Sequence, residues 1–369
     1  MNGASRQETL VFTPTPPAPA PIAAKGVIHW LHANLFDGWL NSLLTVVCVA
    51  LLARAVPPLV SWALVNANWL GGPEGCAGAD GACWAFIGAK LRVLMVGTYP
   101  QEYLWRPVAT GVLLAGVVAA TVSDRCKNRY LVGLWPLFFV AALWLIGGGA
   151  GLHAVDQSMW GGLMLSLGLA AVGIIVSIPC GILLALGRQS TLVGIRTPCI
   201  GFIELVRGVP LITILFMASV MMPLFLPVDM QINNLLRVQI GMILFSSAYI
   251  AEVVRGGLQA IPAGQYDAAK ALGLKRWMIT VFIVLPQALR HVLPSLIGRC
   301  IALFKDTSLV IIVGLLDFLG MTKAAAQDQA WLGHDAEGYV FCALVYWCIC
   351  FSMSRYGRSL EKRGAKSKK

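Results

Sequence analysis

Long apolar runs alternate with short polar clusters along most of this chain, a pattern that predicts a bundle of helices rather than sheet. Eight runs come near the ~20 residues a bilayer requires. They fall at about 39–65, 107–123, 133–152, 160–187, 202–226, 238–255, 290–316 and 338–354. The sixth is the weakest, pinched between Arg237 and Glu252. Ahead of them lies Thr13-Pro14-Thr15-Pro16-Pro17-Ala18-Pro19-Ala20-Pro21, an extended segment with no core to join. Four regions are expected: a disordered, proline-rich cytoplasmic lead at 1–36, a three-helix membrane extension at 37–155 with an outer loop at about 66–106, a helical core at 156–362, and a basic tail at 363–369.

Composition narrows the class. Apolar residues make up 58% of the chain, charged residues 12%, and the mean hydropathy is +0.75. A soluble domain cannot hide that much apolar surface, so an integral membrane protein is implied. The net charge of +11 does not indicate nucleic-acid binding, because much of it sits at span ends and in the tail. Arg125, Lys127, Arg129, Arg188, Arg196, Lys275, Arg276 and the tail fall on one side of an eight-span layout. The positive-inside rule makes that side the cytoplasm, with both termini there.

A polar, helix-prone segment interrupts the apolar pattern between the sixth and seventh runs. Pro262 can open a helix, Ala268 to Leu272 are strong helix formers, and Gly273 is a natural stop. A second apolar helix is expected from Leu274 to Leu285, ending before Pro286. Small Ala268, Ala269 and Gly273 leave a face that a partner surface could approach closely. The pattern is Asp267-Ala268-Ala269, three residues, Gly273, nine residues, then Ile283-x-Leu285-Pro286. It resembles the cytoplasmic "EAA" loop of ABC-importer permeases, with Asp267 in place of Glu. That resemblance implies that Asp267, Ala268, Ala269, Leu272 and Gly273, within a loop at about 258–288, dock on an ATPase.

Charge inside a span is costly, and four places stand out. Glu204 and Arg207 lie at i,i+3 on one helix face, ahead of a break at Gly208-Val209-Pro210. Glu252 and Arg255 repeat that spacing, and Lys305-Asp306-Thr307-Ser308 places two charges and two hydroxyls at membrane depth. Arg54, before Pro57 and Pro58, reads as a snorkelling cation. With their neighbours these runs are similar to the polar amino-acid permease branch of ABC importers over about 158–362. The three-span extension resembles the larger permease of general L-amino-acid and acidic-amino-acid/amide importers of Gram-negative bacteria. The resemblance implies a five-helix type I permease core and an all-α polytopic inner-membrane protein. It also implies an ABC ATPase dimer binding ATP and Mg in separate chains, a second homologous permease and a periplasmic amino-acid-binding protein. An amino acid needs a cation for its carboxylate, for which Arg207 is a candidate, and Asp306 with Thr307 or Ser308 for its ammonium. Glu204 and Lys305 complete the candidate path.

Other chemistry is sparse. Cys76 and Cys83 flank a short outer loop segment and form either a disulfide or two free thiols. The remaining cysteines read as small apolar residues, and no Cys/His spacing suggests a metal. No G-x-x-x-x-G-K-[ST] loop or catalytic constellation is present, so no enzyme activity and no cofactor of its own are expected. An ion-gradient-driven secondary transporter would explain the buried charges but not the Asp-Ala-Ala…Gly loop.

Overall fold

The computed structural model describes residues 26–78, 80–123, 128–225, 227 and 232–366. By internal contacts the chain divides into Met1–Ala67 with Asp80–Ala82, and Asn68–Ala79 with Cys83–Lys369. Among the described residues every regular element is a helix, apart from isolated bridges.

The first unit holds α1 (Val27–Leu35) and α2 (Trp39–Val60), which runs on as a wide π-turn over Ser61–Val65. α2 buries none of its residues within the chain, which leaves its whole apolar surface open. The expected disordered lead does not extend to residue 36. Val27 to Leu35 are apolar enough to form a helix, while the proline-rich stretch lies outside the described residues.

The second unit contains α3 (Trp84–Val96), α4 (Trp105–Val122), α5 (Asn128–Gly147), α6 (Gly162–Arg188), α7 (Val193–Arg207), α8 (Leu211–Phe216), α9 (Asn234–Gln259), α10 (Ala263–Ala271), α11 (Leu285–Asp306), α12 (Phe318–Ala326) and α13 (Asp335–Lys366). α2, α6, α9, α13 and the helical stretch Gln101–Thr121 are long and apolar enough to span a membrane. A sixth span results if α7 and the helix from Leu211 to Phe225 count as one, bent by 106°. The count of eight is not established: Gly133–Gly147 is short, and α11 carries Arg290, Arg299, Lys305 and Asp306.

α6, α9 and α11 make the central packing. Glycines let their backbones close up: a Cβ built on Gly181 would lie 2.5 Å from Ile250 Cγ2, and one on Gly257 2.8 Å from the Ala288 carbonyl. Three apolar clusters follow from this. One, around Leu169, Val206, Leu215, Met242 and Phe304, fills the middle. A second, around Val254, Leu258, Ile261, Ala269, Ile279 and Ala288, packs beside α10. The third gathers Phe86, Leu94, Leu163, Phe318 and Trp331 with Cys76 and Cys83. α4 and α5 pair through Val117, Phe138 and Ala142.

The stretch expected as an outer loop at 66–106 is therefore largely folded. α3 buries Phe86, Ile87 and Leu94, and a disulfide joins Cys76 to Cys83, Cα atoms 5.7 Å apart. Buried Glu337 accepts the Cys83 amide at 2.9 Å, tying this ring to α13. Asp317, fully buried, caps α12 by accepting the Gly320 amide at 2.9 Å, and Tyr346 donates to its other oxygen at 3.1 Å.

Candidate functional site

Two features carry the chemistry: the short helix α10 and a band of charges between α6, α7, α9 and α11. α10 begins after Pro262, whose extended backbone ends the preceding stretch, and stops at Gly273. There φ is +73°, a conformation that glycine adopts without a Cβ clash. The Leu274 amide donates to the Ala269 carbonyl at 3.3 Å and the Gly273 amide to Lys270 at 2.9 Å, the paired bonds of a Schellman stop.

The side chains of α10 divide by face. Ala269 is 2% exposed and packs with Ile261, Ile279 and Val284, so it belongs to the chain's own core rather than to a free docking face. Leu272 is 78% exposed, and Trp277 and Phe282 beyond it are exposed as well. Asp267 pairs with Lys270 at 3.2 Å in the open. Gln287 donates to Gln265 at 3.1 Å, bracing α10 against the start of α11.

The helix expected to end at Pro286 does not end there. Arg276–Met278 leads into a π-turn, Ile279–Val284, and straight on into α11. The wide turn relieves the clash that a proline ring makes with the carbonyl four residues back, so the axis continues.

The charge pairing also differs from the expected one. Glu204 and Arg207, neighbours on α7, do not pair with each other. Glu204 accepts from Arg188 of α6 at 2.8 Å, and Arg207 Nη1 lies 3.5 Å from Glu252 of α9. Glu252 also faces Arg188 at 3.4 Å and takes a short, direct hydrogen bond from Arg255, the i,i+3 partner that the spacing predicted. One carboxylate thus faces three guanidiniums, from α6, α7 and α9. Each side chain is 22% to 32% exposed, so the network is partly wet and only partly desolvated.

Lys305 and Asp306 diverge, as adjacent helical residues must. Lys305 and Ser308 line a cleft against Tyr339, Tyr346 and Trp347 of α13, whereas Asp306 is half-buried outside that cleft. The Thr307 hydroxyl is buried and donates to Phe304 O, and Ser308 donates to Lys305 O, both at 2.8 Å. Both hydroxyls are thus bonded to their own helix.

Two residues escaped the sequence reading. Arg188 looked like a topology marker but bridges two acids. Arg299 lies inside the seventh run, where a lone charge was itself a signal. Its guanidinium stacks on Tyr249 of α9, 4.2 Å from the ring centroid.

The bundle thus carries a helical knob outside its long helices and a band of charges held between them. Residues 177–366 match the family model described as "Binding-protein-dependent transport system inner membrane component", and the chain belongs to that family. It is 47% identical over 360 residues to the inner membrane amino-acid ABC transporter permease protein YhdY of Escherichia coli K12, covering 96% of this chain and 98% of that one. It is 37% identical over 422 residues to the glutamate/glutamine/aspartate/asparagine transport system permease protein BztC of Rhodobacter capsulatus, covering 94% and 96%. A crystal structure of an amino acid ABC transporter with histidines aligns with 55% of this chain and 91% of its own, at 26% identity and a TM-score of 0.49. The chain is accordingly the permease of an ABC transporter with a type I core and an added N-terminal region, and ATP hydrolysis belongs to a separate subunit. A secondary carrier is excluded by the same membership.

Proposed function

We propose that this permease imports polar L-amino acids delivered by a periplasmic binding protein. It couples to a dimeric ABC ATPase, which binds ATP and Mg, through α10 and pairs with a second, homologous permease. Both termini lie in the cytoplasm. The observation that carries the coupling half is the exposed Leu272 on a helix locked between Pro262 and a Schellman stop. A rigid knob with one apolar side chain in solvent suits a cleft on a partner.

The substrate half is supported by the printed functions of the relatives and by the charges near α11. Asp306 is offered for the ammonium, and Arg207 for the carboxylate. Thr307 and Ser308 donate to backbone carbonyls, which leaves their oxygen lone pairs to accept from that ammonium. ATP closing the ATPase would move α10, which the Gln287–Gln265 bond ties to the start of α11 and which Arg276–Met278 and the π-turn link to α11 along the chain.

The test is purification of the tagged chain from its native membrane in mild detergent, followed by uptake of labelled amino acids. An ABC ATPase and a second permease in fixed ratio, with uptake that stops on ATP depletion, is the expected outcome. A lone chain, or a homodimer without ATPase, would refute the assembly.

A further inference from the structure

Arg299 is a cation without a carboxylate partner in the interior of a helix. It stands 14 residues into α11, about 21 Å along the axis from Leu285 at 1.5 Å per residue. It is half-buried, its Nε has no hydrogen-bond partner, and no ion pair reaches it among the described residues. Its planar face instead lies 4.2 Å from the Tyr249 ring centroid, and the Arg207 guanidinium stands 5.8 Å from the same ring. Arg207 Nε is likewise buried and unpartnered. Glu252 answers Arg207, at 3.5 Å, but not Arg299. Two cations gathered on one aromatic ring repel each other, and only Arg207 has an acid in contact, since Asp306 acts on Arg299 through space without an ion pair. Such an arrangement is costly in a membrane protein unless an anion visits it.

We infer that Arg299, held flat by Tyr249, joins Arg207 in the station that takes the carboxylate of the permeating amino acid. Asp306 sits seven residues further along α11, two turns away on the same side of the helix. The carboxylate station thus lies on the coupling-loop side of the acid proposed for the ammonium. Guanidinium donors bind a carboxylate through two parallel hydrogen bonds, and stacking on Tyr249 fixes the plane from which they are offered. The inference rests on the reading of this chain as an amino-acid permease.

The experiment compares wild type, Arg299→Gln and Arg299→Lys in cells carrying the full complex. Uptake of labelled polar L-amino acids is measured beside the ATPase activity and subunit content of each purified complex. Arg299→Gln is expected to keep its subunits and its ATPase activity while uptake falls about ten- to hundredfold, the loss of one charged hydrogen bond or pair of bonds. Arg299→Lys, with charge but no planar fork, should recover part of it. Normal uptake by Arg299→Gln overturns the assignment and leaves the amino-acid reading intact. Equal loss of subunits in both variants also overturns it, by making Arg299 a structural cation. A wild-type complex that carries no amino acid refutes the amino-acid reading first, and the carboxylate station with it.

Discussion

Arg188 at the end of α6 donates to Glu204 of α7 at 2.8 Å, so a pair that spacing alone would close within one helix is closed between two. The same guanidinium reaches Glu252 on α9, which makes Glu252 the common partner of three helices. Removing its charge leaves three arginines close together. Glu252→Gln should destabilise the fold by roughly 1–3 kcal/mol, less than for a fully buried pair because the group is partly hydrated. Thermal unfolding of the purified complex in detergent reads this directly. An unchanged midpoint would mean that solvent, not Glu252, compensates the arginines.

On α10, exposed and buried positions separate docking from folding. Leu272→Asp should abolish ATPase co-purification while expression and membrane insertion stay normal, because Leu272 touches solvent. Ala269→Asp places a charge in the apolar cluster with Ile261 and Val284 and should lower the yield of folded protein itself. Equal behaviour of the two variants would remove the case for Leu272 as a contact.

Gly273 tests the stop. A β-branched residue at φ +73° is strained, whereas Asn tolerates that region. Gly273→Val should weaken ATPase binding more than Gly273→Asn, by about 1–2 kcal/mol of added backbone strain. The ratio of co-purified ATPase in the two variants measures it.

The ring closed by Cys76 and Cys83 spans a sequence separation of seven. Opening so small a loop should cost about 2–3 kcal/mol if the chain-entropy account holds. A reductant should lower the unfolding midpoint of wild type but not that of Cys76→Ser. A midpoint indifferent to reductant in both would show that the neighbouring apolar cluster holds the segment without the bond.

Asp328 gives a pH signature in the segment between α12 and α13. Hydrogen bonds from Lys90 and from the Ala330 amide hold its carboxyl below the ordinary value of 3.8. Its stabilising contribution is therefore complete above pH 3.8 and is lost as the pH falls through the lower folded value. Asp328→Asn should flatten that part of the acid-unfolding profile of the purified protein, and an unaltered profile would refute the role.

Much of this architecture was legible in residue order. The apolar runs placed α2, α6, α9 and α13, and Gly208-Val209-Pro210 announced the break between α7 and α8. α3 was passed over because Lys90 and Arg92 interrupt its run and it is too short to span, yet Phe86 and Leu94 bury against α6, α12 and α13. Pro286 misled because the rule for a proline in a helix assumes four-residue hydrogen bonding, and the π-turn before it changes that register. The partners of Glu204 and Arg299 were out of reach for another reason. Local spacing reports neighbours on one helix, and Arg188 and Tyr249 arrive from others.

The 106° break at Gly208–Pro210 has a consequence for hydration. Two helix ends meet there, and Pro210 has no amide to offer. Hydrocarbon cannot satisfy the carbonyls left at such a corner, so the corner must border water or protein rather than acyl chains. Gly208 and Pro210 are exposed at that corner, so deuterium should enter the Val209 amide far sooner than the amides at the middle of α6.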